Sequence, residues 1–196
     1  MENAQLKELL LQALENERGG EKLYEAAVKA AQNDELKEEW TKYLGETRHH
    51  AEILERAMKA FGIDAEEQSP GRDIVAGLGR SLLQAIEQAL SGGNKAAAQI
   101  VAAECVVLAE TKDHLNWELL GECLTKLKGE QRKALQAAYD EVEDQEDEHL
   151  YHTKGWCREL WMESLGMKAQ LPPPEERRHV KTATGAARAE QSRKHH

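Results

Sequence analysis

Apolar and small residues recur along this chain in alternating steps of 3 and 4, the period of a helix with one buried face. From about Asn3 to Gln32 the stripe runs Leu6, Leu10, Ala13, Glu17, Gly20, Tyr24, Ala27, Ala31. The turn "QND" (32–34) ends that helix and caps a second, which is expected to run to Phe61 and stop at Gly62. The inner face of the second helix reads Leu36, Trp40, Tyr43, Glu46, His49, Ile53 and Ala57. A loop with Pro70 and Gly71 follows, then a shorter amphipathic helix (Ile74, Leu78, Leu82, Ile86, Leu90) and the break "SGGN" at 91–94. A third long helix, about 95–127, carries Ala96, Ile100, Ala103, Val107, Glu110, His114, Trp117, Gly121 and Leu124. Gly129 breaks it. The fourth, about 130–165, carries Leu135, Tyr139, Val142, Glu146, His149, Thr153, Trp156 and Leu160, with Gly166 as its stop. The pattern predicts an all-α fold, a four-helix bundle of two antiparallel hairpins joined by a long crossover that contains a short helix.

Composition sharpens this picture. Ala, Leu, Glu, Lys and Gln abound, while Phe occurs once and Pro four times, so strand-favouring runs are nearly absent. The net charge of −10 is uneven. Residues 167–196 hold seven basic and three acidic side chains, leaving a tail of +4 on a body of −14. The chain thus divides into a bundle, 1–166, and a basic tail, 167–196, which opens near Pro172, Pro173 and Pro174 and shows no apolar period. An acidic body argues against a nucleic-acid partner. No stretch nears the roughly 20 apolar residues of a membrane span, and the start lacks a signal-peptide hydrophobic region, so a cytoplasmic protein is expected. Cys105, Cys123 and Cys157 are odd in number and form no CxxC pair; they read as small apolar fillers.

The chemistry lies where the stripes stop being apolar. Near the middle of each long helix, carboxylates and histidines stand where hydrophobes belong. Burying one unpaired carboxylate costs several kcal/mol, and shared cations are one way to offset that. Glu46 and His49 are one turn apart in "GETRHH", and Glu146 and His149 have the same relation in "EVEDQEDEHL" (141–150). The other two helices each supply one interior acid, Glu17 and Glu110. Residues level across a hairpin are equidistant from its turn. Glu17 and Glu46 centre on "QND", and Glu110 and Glu146 centre beside Gly129. Two carboxylates and an imidazole for each of two divalent ions make a hard, oxygen-rich donor set.

A lone Glu, then ExxH, repeated on four helices with a crossover, resembles the ferritin-like di-iron carboxylate superfamily, which includes bacterioferritins, rubrerythrin-type proteins and stress-associated bacterial ferritin-like proteins. The resemblance covers about residues 3–165. It implies that Glu17, Glu46, His49, Glu110, Glu146 and His149 are metal ligands, with Glu46 and Glu146 bridging and Glu17 and Glu110 terminal. It implies two iron ions, or an iron–manganese pair, that react with O2 or peroxide in iron handling or stress protection, fed by an unknown electron donor. No Met lies beside Glu46, so no haem is expected, and the cysteines lack an iron–sulfur module.

Beyond the six, His114 stands on the inner stripe as an added ligand or a partner of one, with Asp113 as the alternative that turns inward. His50 and His152 read as boundary residues, and Tyr24 and Trp117 as core packing. The Gly19–Gly20 pair points either to close helix packing or to a channel. The other five acids of 141–150 read as a solvated face. A homodimer is expected. Two rival functions stand beside the first: an oxygenase acting on an organic substrate, and a metal-free helical interaction protein that docks through its basic tail.

Overall fold

The computed structural model describes residues 3–170 and Pro174. Five helices account for nearly all of them: α1 (Asn3–Ala30), α2 (Asp34–Ala60), α3 (Pro70–Ser91), α4 (Lys95–Leu124) and α5 (Gly129–Ser164). No strand occurs among the described residues. The expected tail lies outside them except for 167–170 and Pro174, and no described helix is long and apolar enough to cross a membrane.

The ends follow local chemistry. Asn33, Ser69 and Asn94 each precede a helix and accept a hydrogen bond from the backbone N–H three residues on, at 3.1 Å in every case. Pro70 occupies the first turn of α3, where its missing N–H costs nothing. At Gly166, with φ +68°, the chain leaves α5 and the Met167 N–H returns to the Met162 carbonyl at 2.8 Å.

The short links at 31–33 and 125–128 fold α1 back on α2 and α4 back on α5. Ion pairs at 21/48 and 18/55 bracket the first turn, while contacts at 110/149 and 114/147 bracket the second. The two hairpins meet through α1 with α4 and α2 with α5, and α3 lies across α1 and α4.

The apolar interior is in two parts. One cluster holds Leu10, Leu14, Leu54, Met58, Trp117, Leu120, Leu135 and Val142. The other holds Leu23, Tyr24, Leu36, Trp40, Tyr43, Ile86, Val106 and Leu160. Each of α1, α2, α4 and α5 passes from one cluster to the other, and at the crossing lie the buried polar side chains Glu17, His50, Glu110, Asp113, Glu146 and His149.

The inner faces of α2, α3 and α4 differ from the sequence reading; in α4, Val106, Asp113 and Leu120 are buried where Val107, His114 and Gly121 are expected. In α2 the buried residues are Leu36, Trp40, Tyr43, Thr47, His50, Ile53, Leu54, Ala57 and Met58, so Ile53 and Ala57 keep their expected places while Glu46 and His49 do not. Two successive steps of three, from Tyr43 to Glu46 to His49, turn the face by about 120° at ~100° per residue. The 4–3 alternation through Thr47 and His50 stays within about 40° of Tyr43. In α3, Ile86 is buried but Ile74 and Leu78 are exposed. A run of steps of four drifts about 40° each time, so that stripe cannot stay on one side. At 22 residues it is the shortest of the five, as expected, but it begins at Pro70, so Pro70 and Gly71 belong to the helix and not to the loop before it. Of the glycine pair, Gly20 marks close packing, since a Cβ there would lie 3.3 Å from Thr47 Cγ2, whereas a Cβ on Gly19 would meet nothing within 4 Å.

Candidate metal centre

Six side chains from four helices converge between the two apolar clusters. They are Glu17 from α1, His50 from α2, Glu110 and Asp113 from α4, and Glu146 and His149 from α5, all nearly or fully buried. Of the residues expected from sequence, Glu17, Glu110, Glu146 and His149 are brought together here. Glu46 is half-buried at the edge. His49 lies on the outer face, where it bonds Glu141 Oε1 at 2.9 Å through Nε2. His114 sits nearer the surface with its Nε2 2.7 Å from Asp147 Oδ1. Sequence reasoning places His50 at the boundary and keeps Asp113 only as an alternative. The signal for both is present: each continues an unbroken 4–3 alternation, through Tyr43–Thr47–His50 and Glu110–Asp113–Trp117.

The two imidazoles stack with ring centroids 5.5 Å apart and present the same nitrogen inward. His50 Nε2 lies 2.8 Å from Gln145 Oε1, and His149 Nε2 lies 3.0 Å from Glu46 Oε2. A carboxylate oxygen only accepts, and the Gln145 oxygen only accepts, so each Nε2 carries the proton and each Nδ1 keeps its lone pair. His50 Nδ1 reaches 2.8 Å from Glu146 Oε1 and 3.7 Å from Glu17 Oε1. His149 Nδ1 lies 3.6 Å from Glu146 Oε1 and 3.8 Å from Glu110 Oε2. His149 Nδ1, Glu17 Oε2, Glu110 Oε2, Asp113 Oδ1 and Glu146 Oε2 have no hydrogen-bond partner, and His50 Nδ1 and Glu146 Oε1 have none beyond each other. Glu17 Oε1 accepts from the Trp117 indole N–H at 2.9 Å.

Burial dominates the electrostatics. It pushes the Glu17, Glu110 and Glu146 carboxyls well above their ordinary range, with mutual repulsion adding to the effect. Burial likewise raises Asp113 to about 6. It lowers His50, and it lowers His149 to about 4, so both rings are neutral. Glu46 moves the other way: half-burial opposes its charge, but the His149 bond and Lys42, 3.5 Å away, hold it below the usual carboxylate range.

Unpaired acceptors gathered at this depth are rare in folded proteins, because each forfeits its hydration. Two subsets bring donor atoms within 4.8 Å of one another, His50 with Glu146 and His149, and Glu17 with Asp113 and Glu146. Glu146 belongs to both. Four carboxylates carry four negative charges when ionised, which match two divalent cations. The donors therefore fit a pair of metal ions, on the ground of their orphaned lone pairs and their chemistry.

No protein-family model, curated protein or solved structure matches this chain. The site rests on its own geometry.

A cleft between α4 and α5 reaches this centre from outside. Its volume is about 580 Å³, and Glu146 lines its wall together with Trp117, His114, Tyr139 and Tyr151.

Proposed function

We propose that this chain is a ferritin-like four-helix bundle that holds two divalent metal ions and reacts Fe(II), or an iron–manganese pair, with O2 or peroxide. The observation that carries the reading is the set of buried, unpartnered donors on four helices, centred on Glu146. His50, Glu146 and His149 would hold one ion; Glu17, Asp113 and Glu146 the other, with Glu110 beside them. Two adjacent metals, when bound, can each supply one electron to the oxidant.

The chain's own part is preparation. Trp117 orients Glu17 through one oxygen and leaves the other inward. Gln145 and Glu46 hold the two rings in the tautomer whose Nδ1 is bare, an arrangement typical of metal-binding histidines. Lys42 balances the Glu46 charge from outside. The carboxyls, held protonated by burial, give up their protons as cations arrive. The two apolar clusters keep water from the sides.

Anaerobic titration of the metal-free full chain with Fe(II) tests this. About two equivalents should bind, and Glu146→Ala should abolish binding of both because it removes the shared ligand. Binding far below that in the parent chain, or a Glu146→Ala variant that binds as the parent does, would sink the reading. A second reading, oxidation of an organic substrate, draws on one observation: the cleft that ends at Glu146 is large enough for a small molecule.

A further inference from the structure

The outer face of α3 is unlike those of α1 and α2. Ile74 and Leu78 stand 65% and 58% exposed on it, whereas no described large hydrophobic residue of α1 or α2 is exposed. At ~100° per residue, Gly77 lies near the middle of the outward face, with Ile74 and Leu78 along one edge and Asp73 and Arg80 along the other. Asp73 and Arg80 are both exposed, and among the described residues neither side chain has an ion pair or a hydrogen bond. Gly77 is equally unaccounted for within its own chain. A glycine inside a helix destabilises it relative to alanine, so one that persists there calls for a reason. Gly79 has one, because a Cβ there would lie 3.9 Å from Gly19 Cα of α1. A Cβ on Gly77 would meet only the end of the Arg80 side chain, at 3.8 Å.

We propose that this face binds the same face of a second copy of the chain, antiparallel, about a two-fold axis at Gly77. In such a contact residue i meets residue j and j meets i, and each edge lies beside the same edge of the other copy. Asp73 and Arg80 have their midpoint at 76.5, and Ile74 and Leu78 have theirs at 76. Both pairs therefore meet in a single register. Asp73 faces the partner's Arg80 and Arg80 the partner's Asp73 along one edge, while Ile74 and Leu78 cover each other along the opposite edge. A parallel pairing would set the charged edge of one copy against the apolar edge of the other. The missing side chain at Gly77 lets the two helix axes come close where they cross. One helix face on another covers less surface than a permanent interface, so the pair is weak. It is half-formed at about 100 µM, and at about 1 µM the chains are separate, so unfolding of the dilute chain does not sense this face. None of this rests on the metal centre, to which α3 contributes no donor.

Sedimentation of the full chain in chelator, from about 5 to about 500 µM, tests the pairing. The parent chain should dimerise with a Kd of about 100 µM at low salt and more weakly as salt is raised. Arg80→Asp leaves only acids on the charged edge and should weaken the pair at least about tenfold. Adding Asp73→Arg to that variant exchanges the two charges, and affinity should return to within about threefold of the parent's. Gly77→Gln, a better helix former with a bulky side chain, should raise the melting temperature of the dilute chain and yet weaken the pair at least about tenfold. A parent chain that stays monomeric at about 500 µM overturns the proposal. So does Arg80→Asp or Gly77→Gln that dimerises as the parent does, or a charge exchange that leaves the pair as weak as Arg80→Asp alone.

Discussion

Two adjacent histidines carry opposite roles. His50 is fully buried with a bare Nδ1, and His49 is half-exposed and paired with Glu141. His50→Ala should therefore weaken Mn(II) or Fe(II) binding by at least about 100-fold, and His49→Ala should change it less than about twofold, measured by equilibrium dialysis. The reverse order would restore the helical phase that the sequence alone suggests. Glu46 acts at one remove, through the ring of His149. Glu46→Ala should lower metal affinity by about 10–100-fold while leaving the number of ions bound unchanged. Loss of one whole equivalent would make Glu46 a ligand. At this scale most of the site is legible in the sequence: Glu17, Glu110, Glu146 and His149 stand out as charges on an apolar stripe. The exceptions, His50 and Asp113, have a titratable neighbour one residue away, so composition alone cannot choose between them.

At the scale of the helix, phase is decisive. The amphipathic stripe of α3 proceeds in steps of four, and only part of it is inward. Ile86→Ala removes a side chain from the second apolar cluster and should cost about 2–5 kcal/mol in urea denaturation. Leu78→Ala, at a position 58% exposed, should stay within about 0.5 kcal/mol. Similar losses at both would mean that the outer face of α3 is covered in solution. Helix positions and ends are far easier to read than faces. Asn33, Asn94, Gly62 and Gly166 punctuate the chain through local backbone chemistry, which needs no tertiary partner.

For the whole molecule, the buried acids set the response to pH. A carboxyl whose pKa is raised in the folded state holds more protons there than in the unfolded chain, so its contribution to stability is lost as pH rises. That applies to Glu17, Glu110, Glu146 and Asp113, the last between its ordinary 3.8 and about 6. The lowered pKa of His50 and His149 acts oppositely, between about 4 for His149 and the ordinary 6.5. Four acids outweigh two imidazoles, and above about pH 6.5 the imidazoles no longer contribute. The Tm of metal-free protein should thus fall steadily from about pH 5 to pH 8, and saturating Mn(II) should raise it most at the high end. A Tm that climbs over this range in chelator would refute the electrostatic picture.

Taken alone, the sequence determined the helices, their turns and the level at which charge enters the interior. Each of these depends on residues near in the chain: caps, glycines, and stripes that repeat every three or four positions. Hairpin arithmetic then put Glu17 and Glu110 level with the acids of α2 and α5. Only tertiary structure decided which edge of each stripe is innermost. A residue three positions on and one four positions on lie about 60° and 40° to either side of the same line, and both are compatible with a buried face. The helices packed on each side settle the choice, turning His50 and Asp113 inward and leaving His49 and His114 to the outside.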